Sequence, residues 1–180
     1  MSCIIGLVEG ETVYIGADSA SADGWEVRAT KLPKVFRVGR FIIGYTTSFR
    51  MGQILQHDLD VAPQERENDD KYMVSVFVEA VRECLKEHGY SKIENNREEG
   101  GTFLVGYHGH LYSIGNDYQV NEMADGVDAC GCGREYALGA MRALAHLPAR
   151  ERITKSLEIA AYFSGAVMPP FRILRAPDWI

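Results

Sequence analysis

An α+β chain, with two β-sheets held between two layers of helix, is the fold this sequence predicts. Order is the first observation: strand-like runs, two helices, more strand-like runs, two helices and one last strand. The second is that strand-like runs come in pairs around short, glycine-bearing turns. The third is that the stretches between them carry apolar residues at helical spacing. The 180 residues suffice to bury a substantial core without cross-links, and residues 1–180 read as one domain, with no repeat, low-complexity segment or internal boundary.

Each element has its local reason. Cys3-Ile4-Ile5-Gly6-Leu7-Val8 and Thr12-Val13-Tyr14-Ile15-Gly16-Ala17 flank Glu9-Gly10 and predict a hairpin. Lys34-Val35-Phe36-Arg37-Val38 and Phe41-Ile42-Ile43-Gly44-Tyr45 predict a second across Gly39-Arg40. Ser48 is placed to cap a helix carrying Met51, Ile54 and Leu55. After a polar stretch, Asp69 or Asp70 opens a second helix with Met73, Val76, Phe77, Ala80, Val81, Cys84 and Leu85 on one face, and Gly89 ends it. Residues 95–101 are charged, end in two glycines and read as a mobile loop. Residues 101–107 and 111–114 form a hairpin around His108-Gly109-His110, and residues 118–123 and 127–130 are short strands. Residues 134–147 and 150–163 are helices separated by Pro148, and residues 171–174 are the final strand.

Composition excludes several functions. A net charge of −6 argues against non-specific nucleic-acid binding. No stretch is apolar for long enough to span a membrane, and the N-terminus lacks the basic segment of a signal peptide. The four cysteines, Cys3, Cys84, Cys130 and Cys132, are expected to be reduced in a cytoplasmic protein. Cys130-Gly131-Cys132 is not a zinc spacing, His108 and His110 read as turn residues, and His57, His88 and His146 read as surface residues near helix ends. The run Asp18 to Gly24 lacks the alternating acids of a calcium loop. Neither a metal nor a cofactor is expected.

The residue with most chemistry is Ser2. Once Met1 is removed, one residue carries both a hydroxyl and a free α-amine, hence a nucleophile with its own base. An α-amine titrates near 7.7–8.0, which suits a general base at neutral pH. No propeptide beyond Met1 is expected. If the first two hairpins share one sheet, Ser2, Asp18 and Lys34 converge near one end of it. A lysine there would keep the amine neutral, and an aspartate would keep the lysine charged. Cys3 would be an N-terminal nucleophile only after loss of Ser2. Gly131-Cys132-Gly133 reads either as a phosphate cradle at a helix start or, more simply, as a strand-to-helix turn that brings Cys132 near Ser2.

These residues, with Ile43-Gly44-Tyr45-Thr46-Thr47-Ser48, Gly131-Cys132-Gly133-Arg134-Glu135-Tyr136-Ala137 and Ala161-Tyr162-Phe163-Ser164-Gly165, resemble the proteasome β-subunits and the bacterial HslV peptidase. The resemblance runs nearly end to end. It implies a four-layer αββα sandwich of the N-terminal-nucleophile hydrolase type, with Ser2 as nucleophile, Asp18 and Lys34 beside it, and the Thr47 amide as oxyanion donor. Cys132 and Ser164 would surround the amine, and Leu32, Tyr45 and Phe49 would line an apolar substrate pocket. It also implies a homo-oligomer of stacked hexameric or heptameric rings, fed with unfolded protein or peptides by an ATP-dependent unfoldase. The chain departs from the family at four positions. Ser2 replaces threonine, Thr47 a glycine, Cys132 a serine and Ala161 an aspartate. The departures leave two alternatives open: a catalytically silent, ring-forming scaffold, and a small-molecule amidohydrolase of the same fold.

Overall fold

The computed structural model describes residues 2–66, 68–94 and 97–177. Two antiparallel sheets face each other. The first has the order β12-β1-β2-β13 and the second β11-β10-β9-β6-β5. β1 (Ile4–Glu9) and β2 (Thr12–Ala17) form the first predicted hairpin, with Ile4 opposite Ala17. Two short strands, β3 (Ala20–Asp23) and β4 (Glu26–Ala29), pair with each other as a separate ribbon that the sequence reading missed. β5 (Val35–Val38) and β6 (Phe41–Tyr45) form the second predicted hairpin. It lies in the second sheet, so the condition of one shared sheet is not met.

Ser48 caps α1 (Phe49–His57), its hydroxyl accepting the Arg50 N–H at 3.1 Å. Asn68, one residue before the predicted acids, caps α2 (Asp69–Tyr72). This helix runs through a π turn, Met73–Phe77, into α3 (Val78–Glu87). The extra residue in that turn sets Phe77 and Val78 five residues after Tyr72 and Met73 on the same face, and all four are buried. Arg97–Glu99, expected in a loop, is a strand (β8) paired with β7 (Lys92–Glu94). Of that expected loop, residues 95 and 96 lie outside the described residues. β9 (Phe103–Tyr107) and β10 (His110–Ile114) form the next hairpin, and β11 (Val120–Glu122) extends their sheet. β12 (Val127–Cys130) returns to the first sheet beside β1. α4 (Arg134–Ala143), α5 (Ala149–Phe163) and β13 (Arg172–Ala176) complete the order.

Strand alternation divides the core into three interfaces. Ile4, Val13, Ile15, Val35, Ile42 and Leu104 meet between the sheets. Cys3, Ile5 and Leu7, the opposite face of the same strand region, pack with Ala137, Met141, Ile153 and Leu157 of α4 and α5. Ile43, Phe103 and Val105 pack with Met51, Ile54, Phe77 and Val81 of α1, the π turn and α3. Three cores in this order are what four layers, αββα, require. Among the described residues no helix is long and apolar enough to cross a membrane.

Candidate active site

The candidate residues stand at the ends of elements, on one edge of the sandwich. Ser2 precedes β1, Asp18 follows β2, Lys34 precedes β5 and Thr47 follows β6. Cys132 lies between β12 and α4, and Ser164 is the residue after α5. Ser2, Asp18 and Lys34 do converge, through the facing of two sheets rather than through one. Their exposures are 4%, 2% and 2%, so the cluster is interior.

Asp18 organises it. The β1–β2 register brings the backbone of Cys3 against Asp18, and the two exchange bonds. The Cys3 N–H donates to Asp18 Oδ1 at 2.9 Å, and the Asp18 N–H donates to the Cys3 carbonyl at 3.2 Å. The N–H groups of Ala20 (2.8 Å) and Met168 (3.4 Å) donate to Asp18 Oδ2. Lys34 Nζ donates to both oxygens, at 3.0 and 3.1 Å. A buried carboxylate is tolerable when paired and hydrogen-bonded, and Asp18 is both. Burial holds the Lys34 amine below its ordinary value, while the charge of Asp18 pushes back. The Cys3 thiol goes the other way: burial, reinforced by Asp18, pushes it up to about 12. It is an inert core group.

On the other side of Ser2 lies the 131–133 turn. The Ser2 carbonyl accepts the Gly133 N–H at 3.3 Å and the Cys132 thiol at 3.4 Å. Cys132 Sγ is 3.8 Å from Ser164 Oγ. Of the two readings of this glycine-rich turn, the geometry fits the strand-to-helix turn beside Ser2. Gly131 has φ +96°, and a Cβ there would lie 2.2 Å from the Ser2 carbonyl oxygen, so both conformation and space require glycine. Ala161 is half-buried against the helix-side core of the first sheet.

Thr47 adopts φ +71°, rare for a β-branched residue. The Ser48 N–H closes a three-residue turn on the Thr46 carbonyl at 2.9 Å, with Thr47 at its centre. Among the described residues the Thr47 N–H makes no hydrogen bond. Thr47 and Ser2 line one small cleft with Lys34, Tyr45, Thr46, Ser48 and Phe49, of about 30 Å³. Of the expected pocket residues, Tyr45 and Phe49 wall this cleft. Leu32 is 42% exposed and lines two neighbouring clefts instead. A larger cleft, about 470 Å³, adjoins on the far side of Thr46 and Thr47 and reaches Gly131 and Asp128.

Sequence reasoning anticipated that Ser2, Asp18 and Lys34 meet and missed the backbone donors around them. Nothing in the local sequence marks Met168 as a partner of Asp18, because it is brought in by a distant element. His108 and His110, at the opposite end of β9 from the site, pair with Asp69 (3.3 Å) and Glu122 (2.9 Å). Among the described residues no group of three or more His, Cys, Asp or Glu gathers in a way that could hold a metal ion.

No protein-family model matches the sequence. Solved structures do match the fold over nearly the whole chain. BPH from Thiobacillus denitrificans, in complex with epoxomicin, is 21% identical, with 96% of this chain and 97% of that one covered and a TM-score of 0.79. Eukaryotic HslV from Trypanosoma brucei is 20% identical over 96% of this chain and 98% of that one, with a TM-score of 0.68. Anbu (ancestral beta-subunit) from Yersinia bercovieri is 11% identical over 96% and 80%, also at 0.68. The chain has the proteasome-like fold of these proteins, and the resemblance drawn from its sequence holds at the level of the fold.

Proposed function

We propose that the chain is a single-domain N-terminal-nucleophile peptidase whose nucleophile is Ser2, exposed by removal of Met1. The observation that carries this reading is the buried Asp18 carboxylate, which grips Lys34 with both oxygens and also accepts the N–H of Cys3, the residue next to Ser2. One group thereby fixes a cation beside the nucleophile and the backbone that carries it.

In the proposed reaction the α-amine of Ser2 takes the hydroxyl proton as Oγ bonds to the substrate carbonyl carbon. The cation of Lys34 disfavours a proton resting on that amine beforehand. The oxyanion meets the Thr47 N–H. The intermediate collapses, the C–N bond breaks, and the α-ammonium returns its proton to the leaving amine. Water, deprotonated by the same amine, then cleaves the ester and regenerates Ser2. Cys132 and Ser164 hold the surroundings of the amine.

The proposed setting is a cytoplasmic ring assembly, hexameric or heptameric, that encloses the sites and receives unfolded chains from an ATP-dependent unfoldase. Side-chain preference before the cut is apolar, set by Tyr45 and Phe49. A second reading, a catalytically silent ring subunit, is favoured by one observation: a β-branched Thr47 held at positive φ where the donor is needed.

The test is hydrolysis of fluorogenic peptides by wild-type protein and Ser2→Ala. Loss of all turnover in an intact, assembled variant supports the reading. Wild-type turnover by Ser2→Ala sinks it, and an inactive wild type whose Met1 has been removed supports the silent subunit. Epoxomicin, the ligand of the BPH structure, is the compound to test first for binding.

A further inference from the structure

We infer that the Thr47 hydroxyl is a positioning group, whose bond to the Thr102 N–H replaces the conformational freedom of glycine and keeps the donor turn in its productive shape. The inference rests on the peptidase reading.

The argument begins with the strain. Threonine at φ +71° carries a steric penalty of about 1–3 kcal/mol, and such a conformation persists only where its surroundings over-determine it. The chain supplies two restraints. Thr47 Oγ1 accepts the N–H of Thr102 at 3.2 Å. The Thr102 carbonyl accepts the N–H of Thr46, also at 3.2 Å. The segment leading into β9 thus holds the turn from both sides, one bond to backbone and one to the side chain.

Geometry explains why this matters for chemistry. β6 fixes the chain before Thr47, and the Ser48 cap of α1 fixes it after. With both ends held, φ at residue 47 sets the direction of the 46–47 peptide, hence of the one N–H in the turn that has no partner among the described residues. Thr46 carries its own N–H to Thr102, and Ser48 carries its own to Thr46. The hydroxyl therefore acts on the donor through the backbone and is a positioning group rather than a catalytic one.

The experiment compares wild type with Thr47→Val, Thr47→Ala, Thr47→Ser and Thr47→Gly on a fluorogenic peptide, separating kcat from KM. Valine keeps the shape and the strain and loses the acceptor, and alanine does the same with less bulk. Serine restores the acceptor, and glycine removes the strain that made it necessary. Expected for valine and alanine is a fall in kcat of about 10- to 100-fold with KM within about threefold, since an oxyanion donor acts in the transition state. Serine and glycine should recover most of that loss. Equal kcat in valine and wild type overturns the inference, and if the valine variant does not fold, equal kcat in alanine and wild type does so. A collapse of glycine along with valine and alanine overturns it as well, because strain would then not be what the hydroxyl offsets. All these outcomes are read against an active wild type and a dead Ser2→Ala, so failure of the clamp is distinct from failure of the peptidase reading.

Discussion

Two regions flank Ser2 and are built in opposite ways. The Asp18–Lys34 bed is interior, and its carboxylate is held by three backbone N–H groups and both contacts of one ammonium. The 46–48 turn reaches the surface only at Thr47, where it is strained, and the Thr47 side chain is fixed by a single exposed bond to Thr102. The contrast teaches that a charged pair can be afforded in a core only when its partners are redundant. The proposed donor, Thr47, keeps its N–H unpaired among the described residues and rests on fewer restraints. The bed is expected to fail by unfolding, and the turn by loss of rate.

The largest effect should come from the bed. Lys34→Ala leaves Asp18 buried without its cation, which costs about 3–5 kcal/mol and removes turnover. Urea unfolding checks this, and a wild-type midpoint would mean that the ion pair is not what holds the bed. Next is Gly131→Ala. Its Cβ would fall 2.2 Å from the Ser2 carbonyl in a left-handed conformation, so a loss of about 1–3 kcal/mol and a larger loss of kcat are expected. Thermal unfolding read beside peptide turnover separates the two.

The turn should give smaller changes in stability. Ser48→Ala removes the cap of α1 and should cost about 1 kcal/mol, with a modest fall in kcat because the loosened start of α1 also anchors the Thr47 turn, whose closing backbone N–H alanine keeps. A kcat that is unchanged when stability falls would detach the cap from the donor. The smallest effect in energy distinguishes the two cysteines nearest Ser2. The Cys3 thiol, raised to about 12 by burial, is protonated at pH 8 and closed to solvent. Cys132 is exposed. Iodoacetamide at pH 8 should therefore label Cys132 and spare Cys3, as peptide mapping would report, and the label beside the Ser2 carbonyl should slow turnover. Labelling of Cys3 in folded protein would show that the bed opens.

Sequence made the bed legible because its groups are side chains at strand ends. Ser2, Asp18 and Lys34 flank runs whose alternation and turns fix where each strand stops. The layer order was also legible, since paired strand runs alternating with pairs of helices call for two sheets between two helical layers. What failed was anything decided between elements. Sequence left open whether the two hairpins share a sheet, and they lie in two, because β6 pairs with β9, a strand that no local signal marks as its neighbour. The ribbon of β3 and β4 was missed because Ala20, Ser21 and Ala22 carry little strand signal. The π turn was missed because a 3.6-residue period cannot register an inserted residue. At the turn, the sign of φ at Thr47 was open from sequence, and the Thr102 bond that accompanies it comes from the segment before β9, more than fifty residues away.

The central claim is that Ser2, with its own amine free, is the reacting group above the Asp18–Lys34 bed. Intact-mass measurement of the native protein, before and after treatment with an electrophilic peptide, tests it most directly. The account predicts a chain lacking Met1 that gains one adduct per subunit, mapped to Ser2 and absent from Ser2→Ala. Uniform retention of Met1, or an adduct that maps to Cys132 and persists in Ser2→Ala, would contradict it.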